Sequence, residues 1–124
     1  MQFKFVLALT SLLGCALAAP APPTKCTGEG YATFYDDNAC NDNPGTAVSM
    51  ANPGCVSNEI GRNSIYLQQS CFENHWMVWS PGTDCNCQND CAEVPDEQGC
   101  WNLNGHAAAS SFRFINTECD SNNC

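Results

Sequence analysis

An all-β fold, a disulfide-rich β-sandwich, is the class this sequence predicts. Three observations carry it: short aromatic and β-branched segments with period-2 alternation, Pro-Gly turns between them, and an even set of cysteines once an N-terminal leader is set aside. The leader is read first because it decides the cysteine count. Residues 1–18 carry one cation, Lys4, then an apolar run over 5–13 and the small-residue triplet Ala16-Leu17-Ala18, the order of features in a secretory signal peptide. That run is too short for a membrane span. Residues 19–25 (APAPPTK) form a Pro-rich, extended tail, and residues 26–124 form a single disulfide-stapled β domain.

Of the 11 cysteines, Cys15 falls in the leader. The rest, Cys26, Cys40, Cys55, Cys71, Cys85, Cys87, Cys91, Cys100, Cys119 and Cys124, are expected to form disulfides, because a short secreted chain meets an oxidising compartment. Which cysteine pairs with which is not readable. The spacing of Cys85, Cys87 and Cys91 matches no Cys-x-x-Cys zinc half-site, so a disulfide knot is the expected reading there.

The strands follow in order. Tyr31-Ala32-Thr33-Phe34-Tyr35 and Trp76-Met77-Val78-Trp79 are β-branched and aromatic, as half-buried strands prefer. In Ile65-Tyr66-Leu67 and Phe112-Arg113-Phe114 the outer two side chains share a face, and Arg113 must point the other way. Asn43-Pro44-Gly45, Asn52-Pro53-Gly54 and Ser80-Pro81-Gly82 each suit the central positions of a type II turn. No capped helical period of ten or more residues is found; 104–111 has room for a turn or two.

The chain also aligns with itself. At an offset of 45, Tyr31 meets Trp76, Phe34 meets Trp79, Cys40-Asn41 meets Cys85-Asn86, and Gly54-Cys55 meets Gly99-Cys100. Further on, Asn63-Ser64-Ile65-Tyr66-Leu67 corresponds to Ser110-Ser111-Phe112-Arg113-Phe114. The halves run from about 31–70 and 76–116, each opening on an aromatic strand and closing on a Ser-apolar-x-apolar strand. This pattern resembles the βγ-crystallin superfamily of paired Greek keys. The resemblance implies a Gly soon after the opening strand: Gly82 fits after Trp79, whereas the first half has Asp36-Asp37-Asn38.

Many members of that superfamily bind calcium through two Asp or Asn, two free positions, Ser or Thr, then Ser. Here His106-Ala107 and Glu59-Ile60 stand where the acid or amide pairs belong, so both copies look degenerate. An EF-hand register begun at Asp36 puts Asn41 at the glycine position and Ala47 at the final glutamate. The segment 36–45 (DDNACNDNPG) is therefore read as turn chemistry, and no metal or cofactor is expected.

Charge narrows the partner. Thirteen acids stand against 4 Lys and Arg, a formal net charge of -9 that becomes more negative when Lys4 leaves with the leader. Phosphate backbones repel such a surface, so nucleic acid is not an expected partner. His75, His106, Glu59 and Arg62 are the residues from which a ribonuclease-like base, acid and phosphate clamp could be built, but the local signatures of that family are absent. Trp76, Trp79 and Trp101 could form a sugar platform, except that Trp76 and Trp79 face opposite sides of a strand.

No catalytic residues and no binding residues are assigned. The signal, tail and cysteines look like those of fungal small secreted cysteine-rich proteins, including host-directed effectors, and the repeat is similar to that of certain yeast killer toxins and protease inhibitors. The expected function is a secreted, non-catalytic effector or toxin-like protein acting on an extracellular or host protein, with no membrane span. The alternatives are a protease inhibitor or a module binding cell-wall carbohydrate, and then a ribonuclease-like enzyme.

Overall fold

The computed structural model describes residues 30–51, 54–68 and 74–124. The leader, the tail, Cys26 and Cys71 lie outside the described residues. The first half contributes β1 (Tyr31–Tyr35), β2 (Val48–Ser49) and β3 (Ser64–Leu67); the second contributes β4 (Trp76–Ser80), β5 (Asp90–Glu93), β6 (Gly99–Asn102) and β7 (Ser111–Ile115). There is no helix among the described residues, as the missing helical period predicts. All pairings are antiparallel, in one sheet of order β2-β1-β3-β6 and another of order β5-β4-β7.

The halves exchange one segment each. β6 leaves its own half to pair with β3, matching Ile65 with Trp101, while Val56 of the first half bridges to Phe112 of β7. Val56 and Phe112 exchange both backbone bonds, at 2.8 and 2.9 Å. Val56 and Trp101 are 45 residues apart in sequence, so the self-alignment appears in space as a reciprocal swap.

Alternation decides which side chains meet. Ala32, Phe34, Ile65, Leu67, Met77, Trp79, Phe112 and Phe114 fill one core between the sheets, and the Phe34 and Phe112 rings lie 5.3 Å apart across it. Arg113 points outward, as its place between two phenylalanines requires. Val78 is also fully buried, although it faces away from that core. Its register partner is Cys91, whose disulfide to Cys119 holds the C-terminal segment against that outer face.

Four disulfides are present among the described residues: Cys40–Cys100, Cys55–Cys85, Cys87–Cys124 and Cys91–Cys119. The first two map onto each other under the repeat, because Cys40 corresponds to Cys85 and Cys55 to Cys100. Each staples a swapped segment to the other half. The last two pin the C-terminal segment, whose backbone also bonds to the buried Gln88: the Asn123 and Cys124 amides donate to its carbonyl, and its side-chain amide donates to the Asp120 carbonyl.

Two turns depart from expectation. A type II turn needs φ > 0 at its third residue, yet neither Gly45 nor Gly82 has positive φ; Cys40 (φ 56°), Asn43 (φ 48°) and Cys85 (φ 52°) do. Gly45 is required for a different reason. A Cβ there would lie 2.4 Å from Glu59 Oε2, so glycine makes room for a buried carboxylate. Gly82 offers its carbonyl to Ser111 Oγ at 2.6 Å. Asp37 does the same for Ser64 at 2.6 Å, which is why the first half manages without a glycine at this point.

Candidate functional site

The two loops that lead into the serine strands β3 and β7 meet at one end of the sandwich. Ile60, Gly61, Arg62 and Asn63 form one wall of a groove, residues 103–109 the other, and Trp79 and Phe112 the floor. Its volume is about 400 Å³, within the range of small-ligand clefts. Ile60 is the most exposed large apolar side chain on the rim, at 56 %.

The first wall is built on an internal cation. Arg62 Nε lies 2.8 Å from Glu59 Oε2, and Nη1 lies 2.7 Å from Asp36 Oδ1 and also donates to the Asn43 carbonyl. Glu59 is only 2 % exposed, and that guanidinium is the cation set against its carboxylate. The Asn43 amide, together with the Arg62 guanidinium, holds the Asp36 carboxyl below the ordinary Asp range. Next to it, the Asp37 carboxylate accepts the amides of Ala39, Asn41 and Asp42, with the Asp42 contact the largest influence holding its pKa down. The segment 36–45 is turn chemistry arranged around an arginine.

The second wall is built on an aromatic stack. The His106 ring lies 4.2 Å from Trp79 at an interplanar angle of 13°, and Trp101 meets both rings edge-on. His106 Nδ1 lies 3.0 Å from Asp90 Oδ2, which also accepts the Ala107 amide at 2.9 Å. Burial works to raise the Asp90 carboxyl, but the Ala107 amide, the His106 ring and the Cys91 amide outweigh it and keep the pKa lowered. An ionised Asp90 assigns the Nδ1 proton to His106 in its neutral form and leaves Nε2 as an acceptor.

The structure thus gathers Glu59, Arg62 and His106 at one end of the molecule. It does not bring His75 there. His75 precedes Trp79 by four strand residues, about 13 Å along the chain. The tryptophans are likewise divided: the partly buried Trp101 packs against Trp79 in the core, and Trp76 is on the other face of β4. Asp90 was not singled out by sequence reasoning, and Asp36 and Gly45 were read there only as turn residues. The Glu59-x-x-Arg62 spacing was a visible signal for the first wall, whereas nothing local to Asp90 announces a partner 16 residues away.

Among the described residues no group of three His, Cys, Asp or Glu side chains is placed to hold a metal ion, and no helix is long and apolar enough to cross a membrane. Four disulfides fit the oxidising environment outside a cell. No family model, no curated protein and no solved structure matches this chain.

Proposed function

We propose that this is a secreted, non-catalytic effector or toxin-like protein with βγ-crystallin-like paired Greek keys, which binds an extracellular or host protein through the groove between its two serine-strand loops. The strand orders and the reciprocal exchange of Val56 and β6 support the Greek-key part of the reading. The observation that carries the functional part is that the charged groups at this end are committed to one another. Glu59 and Asp36 engage Arg62, and Asp90 engages His106. A phosphate clamp needs a free guanidinium and a general acid–base pair needs two poised groups; this groove offers shape and hydrogen bonds around the exposed Ile60 instead. A sugar platform is disfavoured because His106 covers the Trp79 face.

The test applies refolded, disulfide-intact protein to plant leaf tissue and to competing fungal cultures, beside a reduced and alkylated control and Ile60→Asp. Cell death or growth arrest lost in both comparisons supports a groove-dependent effector or toxin. No effect of the intact protein on either system removes the reading. RNA cleavage by the intact protein, lost in His106→Ala, would turn the assignment to an enzyme.

A further inference from the structure

Asn104-Gly105 is the one Asn-Gly step in the sequence, and it forms the tip of the second wall of the groove. The turn holding it is closed by the His106 amide donating to the Leu103 carbonyl at 3.3 Å, at the long end for such a bond. Gly105 has φ 94°, and a Cβ built on it would meet nothing within 4 Å, so its Cα faces open space. Both residues are exposed. The backbone amide of Asn104 is held by Asn102 Oδ1 at 2.8 Å, but its side-chain amide and the Gly105 N–H have no partner among the described residues.

Other asparagines differ in the feature that matters. Asn63, also followed by a small residue, donates its amide to the Asp36 carbonyl, and its successor Ser64 is buried in β3. Asn43 donates to Asp36 and precedes Pro44, which has no N–H to react. Asn86 donates to Asp84 and precedes the disulfide-bonded Cys87.

We propose that Asn104 is a spontaneous modification site, converting through a cyclic imide to aspartate and isoaspartate and thereby remodelling the wall of the groove. The Gly105 nitrogen gives its proton to solvent base and bonds to Asn104 Cγ. The Cγ–Nδ2 bond breaks and ammonia leaves. Water then opens the imide at either carbonyl, and the net change is one amide and one water to one carboxylate and ammonium. Opening at the backbone carbonyl routes the chain through Cγ and adds a backbone carbon to the Leu103–His106 turn. That turn places His106 on Trp79, so the stack is disturbed and a negative charge appears on the rim.

The test incubates the folded, disulfide-intact protein at neutral and mildly alkaline pH, follows each asparagine-bearing peptide by mass spectrometry, and scores isoaspartate by enzymatic methylation. The expected result is an amide-to-acid mass gain earliest in the peptide carrying Asn104, with isoaspartate in excess and a rise in tryptophan emission as His106 leaves Trp79. Asn104→Gln abolishes both changes. Conversion of Asn104 no faster than that of Asn63 or Asn122, or only in the reduced and alkylated chain, overturns the proposal. Conversion that leaves the emission unchanged overturns the remodelling.

Discussion

Glu59 and His106 occupy the same position in the two halves, each five residues before the buried serine of its half, and they solve the same packing problem with opposite chemistry. Glu59 closes over Gly45 and takes its counter-charge from Arg62, one turn of loop away. His106 closes over Trp79 and donates to Asp90 on the return strand of the second half. In each case a carboxylate and a nitrogen base are paired at the end of the sandwich, but the carboxylate is on the loop in one half and on the strand in the other.

The Glu59–Arg62 pair predicts an asymmetric response to mutation. Arg62→Met leaves a carboxylate that is 2 % exposed without its cation, and breaking a buried pair this way costs about 3 kcal/mol. Adding Glu59→Gln to it removes the stranded charge. The double variant is therefore more stable than Arg62→Met alone, read from denaturation midpoints with disulfides intact. Equal midpoints for the two would mean that Glu59 is not carrying a buried charge.

The two serines predict a graded effect. Ser111 Oγ donates to the Gly82 carbonyl and accepts the buried Cys85 amide at 3.1 Å; Ser64 Oγ does the same with the Asp37 carbonyl and the part-buried Cys40 amide at 3.2 Å. Leaving a buried donor unmatched costs about 1–3 kcal/mol. Ser111→Ala is expected near the upper end of that range, and Ser64→Ala nearer the lower because water reaches the Cys40 amide. Denaturant titration of both variants checks the order.

Much of the sandwich was legible because strand periodicity and the repeat are properties of sequence alone. Phe112-Arg113-Phe114 declares its own inside and outside, and the offset of 45 anticipates that Cys40 and Cys85 play matching roles. What alternation does not encode is which half a segment joins, so the exchange of Val56 and β6 emerges only in three dimensions. The turns at Gly45 and Gly82 failed for a related reason, while Asn52-Pro53 lies outside the described residues. Pro-Gly is compatible with a type II turn, but at Gly45 the deciding contact is with Glu59, which is remote in sequence. The site was half legible: Glu59 and Arg62 sit three residues apart, whereas Asp36–Arg62 and Asp90–His106 span 26 and 16 residues.

Acid should weaken the fold in a defined direction. The amides of Asp42, Asn41 and Ala39 hold Asp37 below the ordinary Asp value of 3.8, and Asp36 and Asp90 are lowered as well. With folded pKa values depressed, the unfolded chain binds protons first as pH falls. The stabilisation is thus complete above the unfolded value and is lost on descending through the folded ones. Relief of the net charge of -9 works the other way, so the comparison belongs at high ionic strength, where that repulsion is screened. Under those conditions the denaturation midpoint drops as the pH falls below about 5, and Asp37→Ala flattens the drop.

The reciprocal disulfides yield the sharpest prediction, because they hold segments of unequal strength. Cys55–Cys85 closes a separation of 30 residues and Cys40–Cys100 one of 60, and loop entropy assigns each about 4 kcal/mol, slightly more for the longer. Their local effects should differ far more. β6 has four register pairs with β3 and stays in place without its staple, whereas Val56 has a single bridge to Phe112. Replacing Cys55 and Cys85 together by alanine should therefore release Val56, and amide exchange at Val56 and Phe112 should accelerate well beyond the change in global stability. Replacing Cys40 and Cys100 should leave exchange at Ile65 and Trp101 tied to global unfolding. If both variants change exchange uniformly across the sandwich, the swapped segments are held by the core alone and the disulfides act only on the unfolded chain.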